Sequence, residues 1–171
     1  VRKRFDAKHI ALLAILTALA YVGRIVFQFL PNVQPMTAII IILTLNMGLI
    51  DGLIVASLSL FLSNIFLGLG PWTFAQLISF ATIVLLTSLV MKPLYLKKTK
   101  PLFVLFAFFS GIFYGFIISL FSYKIYGLTN FWIYYAYGLW FDLAHGFGNA
   151  AFYFILEPIL RPLFNRFKEK S

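Results

Sequence analysis

The chain has 171 residues, of which 62% are hydrophobic and 11% charged, with a mean hydropathy of +0.95. Soluble domains are about 45–50% apolar and about 25% charged, so this composition cannot supply a water-facing surface and predicts an integral membrane protein. The formal charge of +9 does not mark a nucleic-acid binder, because twelve of the 14 lysines and arginines lie in three short segments flanking apolar spans; the absence of cysteine removes disulfides, thiolate metal sites and thiol nucleophiles.

Backbone groups in a bilayer core must be satisfied internally, and long apolar runs without alternation select helices over a closed barrel. The first basic cluster, Arg2, Lys3, Arg4 and Lys8, precedes a helix expected over 9–29. That run is long and no small-residue cleavage site follows a short core, so it reads as a retained helix and not a signal peptide. Pro31, Asn32, Gln34 and Pro35 mark a loop over 30–35. The stretch 37–68 is one long tilted helix or two short ones turning between Asn46 and Gly52, around Asp51. Two helices, about 36–50 and 52–67, place all three basic clusters on one side of the membrane, as the positive-inside rule asks. The first is short for a span of about 20 residues.

Gly68, Gly70 and Pro71 make the next loop, 68–72, and a fourth helix over 73–91 leads to the second cluster, Lys92, Lys97, Lys98 and Lys100. A fifth helix covers 102–123. After a polar segment, 124–131, a sixth begins within 131–137 and ends at Glu157 and Pro158, ahead of Arg161, Arg166, Lys168 and Lys170. The expected fold class is all-α: a polytopic membrane protein, a six-transmembrane-helix bundle forming one domain over 1–171. Both termini are expected to be cytoplasmic, with the loops 30–35, 68–72 and 124–131 outside.

No phosphate-binding G-x-x-x-x-G-K-[ST] loop is present, so nucleotide hydrolysis by that route is excluded for this chain. His9 and His145 are the only histidines, and no metal site or cofactor is expected. Of the five acidic residues, Asp6, Glu157 and Glu169 lie at the cytoplasmic ends and Asp51 in a cytoplasmic turn. Asp142 remains, and with His145 and Asn149 it forms an i, i+3, i+7 stripe on the sixth helix. An ionisable residue within a span costs at least about 2.5 kcal/mol and so faces the bundle interior or a wet cavity. The stripe is a structural polar cluster or a binding site; an Asp142/His145 acid/base pair is the enzymatic alternative, with no nucleophile placed beside it.

Ala7, Ala11, Ala14 and Ala18 recur at four, three and four residues on the first helix, a small-residue face that admits a close helix partner. That partner is another helix of the same chain or a second protein; Gly111, Gly115 and Ser119 make a comparable face on the fifth helix. Tyr123, Tyr126, Trp132, Tyr134, Tyr135, Tyr137 and Trp140 crowd the outer end of the last two helices, with Trp72 in another outer loop, as an interfacial aromatic belt would. They share that side with Arg24, Asn32, Gln34, Asn64 and Gln76. An organic ligand bound there would meet both aromatic faces and polar groups.

Four segments together resemble the substrate-binding S-components of energy-coupling factor (ECF) vitamin transporters: Ala14-x-x-x-Ala18 after a basic start, PNVQPMTA at 31–38, LGLGPWTFAQ at 67–76 and FDLAHGFGNAAF at 141–152. The resemblance spans nearly the whole chain. It implies a six-helix protein of a bacterial plasma membrane that captures a vitamin outside and associates with a shared transmembrane subunit and two cytoplasmic ATPases. It assigns partner docking to Ala14 and Ala18, and by extension to Ala7 and Ala11. The loop pattern is closest to the branch with cobalamin-specific members, which makes a corrinoid the first expected ligand, with pantothenate or another water-soluble vitamin as the alternative. Asn32, Gln34, Asn64, Trp72, Gln76, Tyr135, Asp142, His145 and Asn149 are the expected substrate-binding residues. A purely structural subunit would bind no small molecule.

Overall fold

A computed structural model describes residues 6–95, 97 and 99–169; Arg2, Lys3, Arg4, Lys98 and Lys170 of the basic clusters lie outside them. Among the described residues the secondary structure is all helical. It comprises α1 (Ala7–Val26), α2 (Met36–Met47), α3 (Leu49–Leu67), α4 (Trp72–Leu86), α5 (Lys100–Ile125) and α6 (Phe131–Glu169). A π turn, Thr87–Met91, and a 3-10 turn, Lys92–Leu94, carry α4 onward. Four stretches are long and apolar enough to cross a membrane: Ala7–Val26, Leu49–Leu67, Trp72–Leu94 and Lys100–Ile125. α2 is shorter, and α6 is far longer but less apolar.

α2 is the axis of the bundle. Every residue from Met36 to Asn46 is buried, as expected for a helix that is apolar on all sides. The turn from α2 to α3 falls at Gly48 with φ +109, a conformation open to glycine, so α3 begins at Leu49 and not at residue 52. Asp51 therefore lies in the first turn of α3, not in the connecting turn. A side chain at Gly52 would collide with Thr44, which is how closely α2 and α3 approach.

Contacts at the two ends set the path. At the end carrying the termini, His9 Nε2 donates to Asp51 Oδ1 at 3.0 Å, and the His9 ring meets the edge of Phe167. At the end carrying the loops, Arg24 donates to Asn64 Oδ1 at 2.9 Å, Asn64 Nδ2 to Thr73 Oγ1 at 3.0 Å, and Asn32 Nδ2 to the Phe141 carbonyl at 2.8 Å. α1, α3 and α5 thus run toward the loop end and α2, α4 and α6 return. α5 and α6 are in close contact along their length: a Cβ at Gly111 would fall 2.5 Å from the Gly146 nitrogen, and one at Gly115 would overlap the Asp142 carboxylate.

The expected stop at Pro158 does not occur, and α6 continues through Pro158 and Pro162 to Glu169. Pro158 lacks the N–H that would bond the Phe154 carbonyl one turn earlier. Lys100 Nζ supplies that donor at 2.9 Å, and its ammonium also lies 4.2 Å from the Phe154 ring centroid. Glu157, beside the proline, accepts from the Tyr95 hydroxyl at 3.0 Å and lies 3.4 Å from Arg161 and 3.9 Å from Lys100. Burial, and then the Glu157 carboxylate, push the Tyr95 hydroxyl up to about 12, so it remains a donor to that carboxylate. The first residue of α5 thereby fills the gap that Pro158 leaves in α6, and a buried tyrosine holds the glutamate beside it.

The alternating path predicts a labelling pattern. With the termini cytoplasmic, cysteines at Thr99 and Lys168 will be shielded from an impermeant thiol reagent in intact cells and one at Gly127 will react, against no background since the chain has no cysteine. Reaction at Thr99 from outside would invert the bundle.

Candidate functional site

Arg24 is one of two basic residues outside the three clusters, and it occupies the last turn of α1 at the loop end. Its guanidinium turns inward to α3, where it donates to the Ser63 hydroxyl and to Asn64 Oδ1. Ser63 gives its own proton to the Leu60 carbonyl at 2.9 Å. Asn64 spends its amide hydrogens on Thr73 and on Gln76 Oε1, the latter at 2.7 Å, so its oxygen is committed to facing Arg24. Among the described residues no carboxylate lies within ion-pair distance of Arg24.

Two adjoining hollows open at this end. One of about 400 Å³ is lined by Arg24, Asn32, Gln34, Gln76, Tyr114 and Asp142, among others. The second, of about 330 Å³, shares Arg24, Asn32 and Gln34 and adds Gln28. Both volumes fall in the lower part of the range of roughly 300–1,000 Å³ typical of small-molecule sites. Asn32 adopts φ +57, the left-handed region that asparagine tolerates, and its bond to the Phe141 carbonyl fixes the 30–35 loop over α6.

Below the first hollow, the Asp142, His145 and Asn149 stripe faces the bundle interior, as its spacing demands. His145 is fully buried, shares a 3.0 Å hydrogen bond through Nε2 with the Thr37 hydroxyl of α2, and meets the Tyr114 ring edge-on at 5.0 Å. Asp142 Oδ2, His145 Nδ1 and both amide atoms of Asn149 are buried without a hydrogen-bond partner among the described residues. Buried polar groups are nearly always paired, and each orphan costs about 1–3 kcal/mol, so their concentration under a hollow distinguishes this region from the rest of the bundle.

The structure brings Asn32, Gln34, Gln76 and Asp142 to one hollow and puts Asn64 directly behind it, holding Arg24. His145 and Asn149 lie deeper. Trp72 and Tyr135 line neither hollow: Trp72 opens α4 with its indole against Gly70, and Tyr135 stacks on Phe131 and meets Phe116 edge-on. Arg24, Tyr114 and Tyr134 are among the lining residues absent from the expected set. Arg24 had a signal in the sequence, a lone cation within an apolar helix; Tyr114 had none.

The alanine stripe takes a different position from the glycine face of α5. Ala7, Ala11, Ala14 and Ala18 are all exposed, on the side of α1 that also shows Ile15 and Val22, whereas Gly111 and Gly115 are covered by α6. Among the described residues no helix covers the stripe.

Residues 8–161 match the family model described as ECF transporter, substrate-specific component. No curated protein and no solved structure matches the chain. The chain belongs to the family of ECF transporter substrate-specific components, and is a multi-pass membrane subunit that binds a transported substrate, not an enzyme.

The Arg24 cradle makes a prediction of its own. Asn64→Leu removes an acceptor from Arg24 and a donor from Thr73 and Gln76 at a buried position, and will destabilise the protein by about 1–3 kcal/mol, read as a lower melting temperature in detergent. A melting temperature equal to that of the wild type would mean that the cradle carries no structural role.

Proposed function

We propose that this subunit captures a small water-soluble vitamin in the hollows at its loop end, which faces the outside of the bacterial plasma membrane. It then docks through α1 to a shared transmembrane subunit whose two ATPase partners drive uptake. The observation that carries the reading is the charged hollow at the loop end with orphaned polar groups beneath it. The chain has no phosphate loop, which supports a reading in which the energy comes from other chains. The exposed alanine face supplies a surface on which a partner helix could pack closely.

Volume bears on which vitamin. A corrinoid is larger than either hollow. A molecule the size of pantothenate fits within 400 Å³. The smaller class is the better supported, and the corrinoid remains the competing ligand in the test. The enzymatic alternative gains nothing from the geometry: no hydrogen bond joins Asp142 to His145, and the imidazole lies behind Tyr114.

Purified chain, without ATP or partner subunits, is expected to bind one of the water-soluble vitamins. Gln34→Ala and Gln76→Ala will each weaken that binding by about tenfold. Trp72→Ala will leave it within about threefold, because its indole lies outside the hollows. Hydrolysis of ATP by the isolated chain would overturn the reading.

The docking surface has a separate readout. Ala14→Trp and Ala18→Trp place a bulky ring on an exposed face, so uptake by cells will fall while the isolated protein still folds and binds its ligand. Loss of folding in detergent would instead show that the stripe packs within the bundle.

A further inference from the structure

The geometry points to a substrate of defined polarity: a small carboxylic acid whose carboxylate pairs with Arg24 and whose opposite, hydrogen-bond-donating end, a hydroxyl or amide N–H, meets Asp142. The inference rests on the reading of the 400 Å³ hollow as the substrate site and goes further by assigning which chemical group lies where.

Arg24 and Asp142 line the same hollow, yet they are not an ion pair. A guanidinium presents five donors in a planar fork that matches a carboxylate in bidentate fashion. Here one nitrogen, Nη1, is anchored on two neutral oxygens, of Ser63 and Asn64, and both oxygens are held in place by further hydrogen bonds. The plane of the fork is therefore set before any ligand arrives, while the charge has no counter-ion among the described residues. Arg24 is half-buried and lines the hollow, so a ligand anion that displaces water from it would meet a cation with no competing carboxylate.

Asp142, on α6 where Arg24 is on α1, also lines the hollow, and its Oδ2 is buried without a donor among the described residues. A carboxylate needs a hydrogen-bond donor there, and a ligand carboxylate would be repelled from it, which fixes the orientation of a bifunctional acid. Gln34 and Gln76 line the same hollow and supply neutral amides, and Asn32, whose Nδ2 is engaged by Phe141, is left to offer its oxygen. Only one cation lines the hollow, and among its lining residues there is no lysine or run of glycines of the kind that cradles phosphate, so a monoanion suits it better than a phosphate ester.

The test uses matched pairs on the purified full chain: pantothenate against panthenol, biotin against its methyl ester, with thiamine as a cationic and pyridoxine as a neutral vitamin. One of the acids is expected to bind at least about tenfold more tightly than its neutral counterpart. Arg24→Gln will weaken the acid by about 10–100-fold and leave the neutral member nearly unchanged, abolishing the discrimination. Arg24→Lys will keep part of it. Asp142→Asn will weaken both members of the pair by the same factor, because its contact is with the end they share.

A neutral or cationic vitamin binding more tightly than either acid would overturn the inference and leave the transporter reading standing. So would equal weakening of acid and neutral analogue by Arg24→Gln. If no vitamin of the panel, cobalamin included, binds the folded wild type, the reading of the hollow as the substrate site fails and the inference with it. Should Arg24→Gln not fold, the wild-type pair and Arg24→Lys decide the matter.

Discussion

A helix with no exposed face obliges every other element to surround it, and α2 is such a helix. Its twelve residues rise only about 18 Å, well short of a hydrocarbon core about 30 Å thick. The helices around it are longer, so the bundle has a deficit of packed atoms beyond the ends of α2. The residues just before its start, Asn32 and Gln34, line the hollows, which open where the central helix falls short. The polar site is in this sense a consequence of core length. An apolar axis that ran the full thickness of the membrane would fill the same space with side chains.

The second constraint is the close approach of α5 and α6. Glycines at 111, 115 and 146 let the two backbones come together, and the absence of a side chain at 115 is what makes room for the Asp142 carboxylate. Interhelical packing in a membrane depends on dispersion more than on a hydrophobic drive, so small residues at the contact are the stabilising element. Against that gain stands the column of Asp142, His145 and Asn149, whose orphaned atoms each cost about 1–3 kcal/mol. A bundle selected only for stability would hold apolar side chains at these positions.

Much of the fold was legible in the sequence because apolar runs broken by Pro, Gly and Asn map directly onto helices and turns. The order of the helices, the short α2 and the reversal near Asp51 were all readable that way. The end of α6 was not: Pro158 carries a local stop signal, and the donor that overrides it comes from Lys100, 54 positions before the carbonyl it satisfies. Lys100 read as a marker of topology, which conceals its second role. Spacing placed Asp142, His145 and Asn149 on one face correctly, since helical period is a local property. It could not say that Trp72 turns toward Gly70 and away from the hollow, nor that Tyr114 joins the lining, one ring among the 21 phenylalanines and nine tyrosines of the chain. The alanine stripe shows the same limit from the other side: its periodicity is evident, but whether a neighbour covers it depends on six helices at once.

The three tryptophans of the chain are confined to one layer. Trp72 opens α4, and Trp132 and Trp140 occupy the first third of α6, with 40%, 70% and 78% of their surfaces accessible. All intrinsic indole emission therefore originates at the loop end, and none from the half of the bundle that carries the termini. Trp132 and Trp140 face outward, so lipid-borne quenchers placed at graded depths would locate this layer relative to the headgroups. Trp72, beside the Asn64 and Thr73 network, would sense a different environment. The molecule thus carries a native depth gauge at the end where its charged hollow lies, without any introduced label.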